Sequence, residues 1–250
     1  MLRPMATWVV GDIHGCADEL ARLVEHLGLA RDDRLVSVGD LFHRGPDSVG
    51  VIGILRELRA QFVLGNHELA VLRRIGLAPT TWNANVRPPL RTKFPPLDAE
   101  DLAGDGHTPC DVPPEHRAAL LEFLQTHSGF ALRHTQIEHA ELTRDARPWV
   151  VVHAGLVPGL ALEKQSLRDL TTLRRTSARG QPWWYEDYDQ PELVLFGHTP
   201  SPLPRVHTRR GRVLAIGLDT GCVYGGKLTA YCPEFGEFRS VSAARAYANA

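Results

Sequence analysis

Cysteine is scarce in this chain. It occurs at positions 16, 110, 222 and 232 of 250 residues, and no two are spaced as C-x-x-C. That spacing argues against a zinc knuckle or a thioredoxin-type centre, and reduced thiols are the expectation. Long apolar runs are missing too: no stretch approaches the ~20 residues of a membrane helix. The opening segment, Met1 to Val10, has one arginine and a very short apolar run, so neither a signal peptide nor a membrane partner is expected. The expected location is cytoplasmic. Charge of one sign is absent as well. The formal net charge is −1, with neither a basic surplus for a nucleic-acid backbone nor an acidic tail. Small phosphorylated substrates stay open, because a local positive site does not need a positive chain. Internal repeats and low-complexity segments are also lacking.

What is present is an ordinary globular composition, 43% hydrophobic and 23% charged, enough for one full core without disulfides. A single domain over 1–250 is expected, with a monomer as the simplest assembly. One pattern recurs along it. A short apolar run, mostly β-branched, ends abruptly in glycine or histidine and a polar residue. Thr7–Val10 meets Gly11-Asp12, Arg34–Val38 meets Gly39-Asp40, and Gln61–Leu64 meets Gly65-Asn66. Trp149–Val152 meets His153, Leu193–Phe196 meets Gly197-His198, and Val213–Ile216 meets Gly217-Leu218-Asp219. Such runs read as buried strands. Between the early ones, Asp18–Leu27 and Asp47–Arg59 carry leucine, isoleucine and valine at helical spacing. Alternating strand and helix predicts an α/β fold. In open α/β sheets ligands sit at the carboxyl ends of strands, which is where every polar motif falls.

Pro79–Pro114 is rich in proline and lacks periodicity, so it reads as an irregular insert covering one rim of the site and helping to select the substrate. Glu115–His127 reads as helical. Lys227–Cys232 and Glu237–Val241 read as strands, and the alanine-rich Ala243–Ala250 is expected to fray.

The strand-end residues Asp12, His14, Asp40, Asn66, His67, His153 and His198 mix oxygen donors with imidazoles. That mixture suits manganese, iron or zinc better than magnesium or calcium alone. Two ions need a bridging carboxylate, and Asp40 lies between the other ligand groups in chain order.

Gly11-Asp12-Ile13-His14-Gly15, Gly39-Asp40-Leu41-Phe42-His43-Arg44-Gly45, Gly65-Asn66-His67-Glu68, His153-Ala154-Gly155 and Gly197-His198-Thr199 resemble, in order, the five motifs of the phosphoprotein-phosphatase family of metallophosphoesterases. The resemblance spans roughly Val9 to Tyr224. It implies a calcineurin-like fold of two packed central β-sheets flanked by helices. It implies two divalent cations, manganese first, with iron, zinc, cobalt or magnesium as alternatives. Asp12, His14 and Asp40 would hold one ion, and Asp40, Asn66, His153 and His198 the other. Water activated between the ions would attack phosphorus in line. His67 would be the general acid and Arg44 the phosphate clamp. A second arginine should fall in Leu173-Arg174-Arg175, with Arg175 the choice here. Tyr224 matches a family tyrosine near the metals.

His43 departs from the family, which usually has aspartate there. A carboxylate raises the pKa of its histidine partner; an imidazole does not. His67 should therefore be a weaker acid, which matters little when a phosphate of pKa ~6 leaves and much when an alkoxide leaves. Bacterial symmetrical diadenosine-tetraphosphate hydrolases and ApaH-like phosphatases also replace that aspartate, and Asp219–Gly226 resembles their C-terminal motif. Glu68 dissents mildly, since those hydrolases often carry aspartate there. The expected activity is cleavage of diadenosine tetraphosphate to two ADP. A serine/threonine or broad-specificity protein phosphatase is the alternative, and a catalytically poor nucleotide- or metal-binding protein the third reading. Trp183, Trp184, Tyr185 and Tyr188 offer faces for a base, with packing the favoured role.

Overall fold

The computed structural model describes residues 5–74, 122–124, 128–134 and 147–249. The proline-rich insert lies outside them. Of the helix expected over 115–127, only 122–124 are described, and they are helical.

Two mixed sheets pack face to face, with helices outside. The first has the order β11-β10-β1-β2-β3-β4, the second β5-β6-β7-β9-β8. β1 (Thr7–Val10), β2 (Arg34–Ser37), β3 (Gln61–Val63) and β4 (Ser128–Gly129) run parallel. β10 (Lys227–Cys232) and β11 (Glu237–Ser242) extend that sheet antiparallel. In the second sheet β6 (Trp149–Val152), β7 (Leu193–Phe196) and β9 (Arg212–Gly217) are parallel. β5 (Ala131–His134) and β8 (Arg205–Arg209) close its edges antiparallel.

The runs are apolar throughout because both strand faces are buried. Val9, Val36, Val63, Val151, Leu195 and Ile216 point into the layer between the sheets. Trp8, Val10, Leu35, Val150, Val152 and Val194 point the other way, into the larger core shared with the helices. α1 (Ala17–Leu27) contributes buried Leu20, Leu23 and Leu27 from one stripe and stops at Gly28, whose φ of 59° is the left-handed cap glycine favours. α2 (Ser48–Glu57) is capped by Asp47, which accepts from the Gly50 N–H at 2.7 Å. α3 spans Asn66–Arg74, and the short α4 spans Leu167–Thr172.

The C-terminal segment is not frayed. Glu19 is fully buried, and its Oε1 accepts from the Ala244 N–H at 2.9 Å and the Tyr247 hydroxyl at 3.0 Å. Backbone bonds from Ala243 to Gly226 and from Tyr247 to Val223 complete the anchorage. Tertiary hydrogen bonds hold a segment that local composition leaves undetermined. No described helix is long and apolar enough to cross a membrane.

Candidate active site

The parallel strands deliver their polar residues to one edge of the sandwich. Asp12 follows β1, Asp40 follows β2, Asn66 opens α3 after β3, His153 follows β6, His198 follows β7 and Asp219 follows β9. Two glycines permit the approach: a Cβ on Gly65 would strike the Asp40 carboxylate, and one on Gly197 the Asp12 carboxylate. The backbone is strained here. Among the described residues eight non-glycines have positive φ, and five are His14 (49°), Asp40 (50°), His43 (73°), Arg44 (72°) and His198 (68°). Strain of this kind persists where surrounding contacts over-determine it, typically at functional sites.

Glu68 is one such contact. Gly65 caps α3, and Glu68, three residues on, reaches back to its N–H at 2.8 Å, as in a capping box. The same carboxylate accepts from the Asp40 N–H and the Leu41 N–H, each at 2.9 Å. One buried side chain thus locks the loop that presents Asp40.

Two clusters of potential metal ligands share Asp40. On one side His153 Nε2, His198 Nδ1 and Asn66 Oδ1 lie 2.9 to 3.2 Å from one another. Asp40 Oδ2 is 3.4 Å from His153 Nε2. His153 Nδ1 donates to the Val38 carbonyl at 2.8 Å, which turns Nε2 inward. Asp12 holds the His198 N–H with both oxygens, at 3.0 and 3.1 Å. On the other side Asp40 Oδ2 lies 3.7 Å from His14 Nε2 and 3.9 Å from His67 Nε2. Donors at about 2.0–2.2 Å from a common ion stand about 3.0–3.5 Å apart. The tight cluster already has that spacing.

Protonation fits a cation as well. Burial drives His14 and His198 down to about 3, so both imidazoles stay neutral with lone pairs available. Burial raises Asp12 and lifts Glu68 to about 7 and Asp219 to about 6, and neighbouring carboxylates add to each rise. Burial opposes the charge on His153 too, but Asp40 and Asp12 outweigh it and raise His153 to about 10. Crowded buried carboxyls beside the neutral imidazoles of His14 and His198 make a donor set that a divalent cation stabilises, and His153 joins it by giving up a proton.

His43 and His67 meet through their Nδ1 atoms at 3.0 Å, both buried. Arg44 donates to the Tyr224 hydroxyl at 2.5 Å, with its guanidinium 5.8 Å from the ring centre.

The model of the calcineurin-like phosphoesterase family matches residues 5–215. The chain belongs to that family. Relatives of this phosphoesterase carry more than one activity. An asymmetrical bis(5'-nucleosyl)-tetraphosphatase from Oceanobacillus iheyensis is 29% identical over 94% of this chain and 91% of its own. A symmetrical one from Chromohalobacter salexigens is 28% identical over 94% and 97%. Serine/threonine-protein phosphatase 1 of Salmonella typhimurium is 32% identical over 89% of each. A crystal structure of a proposed diadenosine tetraphosphatase aligns with TM-score 0.67 and 29% identity over 96% of this chain and 94% of that one. The phosphoesterase is thus a hydrolase of a family that works with divalent metals.

The adjacent arginines part ways. Arg175 lies over the Trp183 ring at 4.2 Å and donates to the Gln181 carbonyl at 2.7 Å. Of the two arginines it is Arg174 whose charge reaches His198, after the larger effects of burial, His153 and Asp40. Both side chains are exposed, and the contacts of Arg175 engage it with Trp183 and Gln181, which leaves Arg174 as a second candidate for the role expected of Arg175. The antiparallel bridge between Arg175 and Trp183 sets that arginine beside the ring. Of the four aromatics, Trp184 and Tyr188 are buried and pack, while Trp183 and Tyr185 are half-buried. Two residues escaped sequence reasoning as parts of the site. Glu68 stood out only as an odd neighbour of His67, and Asp219 only as part of a C-terminal motif.

Proposed function

We propose that this phosphoesterase hydrolyses dinucleoside tetraphosphates, cutting diadenosine tetraphosphate symmetrically to two ADP. The observation that carries the reading is the Nδ1–Nδ1 contact of His43 and His67 at 3.0 Å. One ring must donate and the other accept. When His43 donates, His67 is neutral with its proton on Nε2, the nitrogen turned toward Asp40. The partner at Nδ1 is an imidazole and not a carboxylate, so it does not favour the imidazolium, and a neutral imidazole is a poor proton donor. Such a group can hydrogen-bond a departing phosphate oxygen that leaves as an anion. It serves badly for a serine or threonine alkoxide.

Asp12, His14 and Asp40 would hold one cation, and Asp40, Asn66, His153 and His198 the other. When bound, two such cations, manganese first among the candidates, supply Lewis acidity at the phosphoryl oxygens and acidify the attacking water. Arg44, steadied by Tyr224, grips non-bridging oxygens with its planar fork, and Arg174 adds charge from the His198 side. Water oxygen bonds to phosphorus as the bond to the bridging oxygen breaks. ADP leaves as an anion hydrogen-bonded to His67, and the second ADP carries the water oxygen.

The Salmonella relative, 32% identical, supports a protein-phosphatase reading as the alternative. Product analysis separates the two. The manganese-loaded enzyme is incubated with diadenosine tetraphosphate or a phosphothreonine peptide, and products are resolved by ion exchange. ADP as sole nucleotide product with a nearly inert peptide is expected. AMP plus ATP overturns the symmetrical cut, and peptide turnover with an intact dinucleotide overturns the proposal.

A further inference from the structure

Arg175 and Arg205 converge on one aromatic ring beside the site. Their guanidinium carbons lie 4.2 and 4.7 Å from the centre of the Trp183 indole. The backbone imposes the meeting. Arg175 pairs antiparallel with Trp183, and the Trp184 N–H donates to the Arg174 carbonyl at 3.2 Å. Arg205 donates through Nη2 to the Pro200 carbonyl at 3.1 Å, two residues beyond His198.

Among the described residues neither guanidinium forms an ion pair with a carboxylate. The acidic groups on the same segment are engaged elsewhere: Glu186 accepts from the Trp183 N–H at 3.0 Å, and Asp187 faces the Thr176 hydroxyl at 3.4 Å. Two cations near each other repel, and the negative face of the indole offsets part of that cost. What remains is a pre-oriented pair of planar forks with donors to spare, the arrangement that favours a polyanion. The pair borders the metal-ligand cluster, since Arg205 stands opposite Gly217, two residues before Asp219, and is bonded to Pro200, two residues after His198.

We propose that Arg175 and Arg205, held over Trp183, form an outer anion subsite for the distal phosphates of a polyphosphate chain whose reacting phosphoryl group sits at the metal-ligand cluster. The proposal rests on the polyphosphate reading above and deepens it. A phosphomonoester has no second charge to reach this subsite, whereas a dinucleoside polyphosphate does. Trp183 is a positioning residue.

The test uses the full chain loaded with manganese at fixed free metal. The ratio of kcat/KM for diadenosine tetraphosphate to that for p-nitrophenyl phosphate is measured in wild type, the R175A/R205A double variant and Trp183→Leu. Loss of two charge-assisted contacts should cut the ratio by about ten-fold or more in the double variant, mainly through KM. Trp183→Leu should move it in the same direction by less. An unchanged ratio, as when both activities fall together, overturns the subsite. Inhibition of p-nitrophenyl phosphate hydrolysis by inorganic tripolyphosphate against orthophosphate gives an independent readout. Wild type should prefer tripolyphosphate, and the double variant should lose that preference. If dinucleotides are not cleaved yet the preference behaves so, the proposed substrate fails and the subsite stands. If the double variant keeps the preference, the subsite fails.

Discussion

The two sides of Asp40 are built differently. Asn66, His153 and His198 close on one another at 2.9 to 3.2 Å, with His153 braced by a carbonyl and His198 by Asp12. His14 and His67 stand off Asp40 by 3.7 and 3.9 Å, His67 in the first turn of α3 and His14 on a loop, and His14, Asp40, His43 and Arg44 all have positive φ. The tight side is fixed by side chains bonding to side chains. The loose side is fixed through its backbone, by Glu68 and by strain. The residues proposed to grip phosphate and assist departure, Arg44 and His67, belong to the loose side. A pre-closed half suits holding a cation, and an open half leaves room for substrate.

The largest way to break this contrast is to remove what both sides share. Asp40→Asn should abolish measurable hydrolysis and halve the bound metal. The loss should exceed the roughly 100-fold typical of an outer-shell partner. Metal analysis and turnover check it, and retention of two tight ions would show that Asp40 does not link the sides. Glu68→Gln should affect the loose side selectively. It turns an amide N–H₂ toward backbone N–H donors, at a cost of about 1–3 kcal/mol. Affinity for one of the two ions should fall by roughly 10- to 100-fold, with the other little changed. Isothermal titration with manganese distinguishes this from uniform weakening.

The smallest effect concerns protons. His153 is raised to about 10 in the metal-free protein, above its ordinary 6.5. Its stabilisation is full below 6.5 and is lost as pH rises towards 10. Metal needs the neutral ring, so binding at pH 8 should release close to one proton from this side. Titration in weak buffer measures it, and His153→Asn should remove that release along with the slope of metal-free stability between pH 7 and 10.

Much of this contrast was written locally. A buried parallel strand must be apolar on both faces, and its end must turn sharply, so β-branched runs stopping at glycine marked Asp12, Asp40, Asn66 and His198. What remained hidden depends on distant partners. Glu68 acts through three N–H groups, two of which belong to another loop. The choice between Arg174 and Arg175 depends on Trp183. The C-terminal segment is held by Glu19, more than two hundred residues away. β8, with the partly exposed alternation of an edge strand, lacked the apolar run that revealed its neighbours.

In the proposed reaction the His43–His67 pair sets the leaving group. The most direct measurement is the ratio of kcat/KM for diadenosine tetraphosphate to that for a phosphothreonine peptide, in wild type and His43→Asp, across pH 6 to 9. Restoring a carboxylate should make His67 a better acid, raising the peptide rate by about ten-fold or more while the dinucleotide rate changes little. A peptide rate that does not rise relative to the dinucleotide rate would contradict the account.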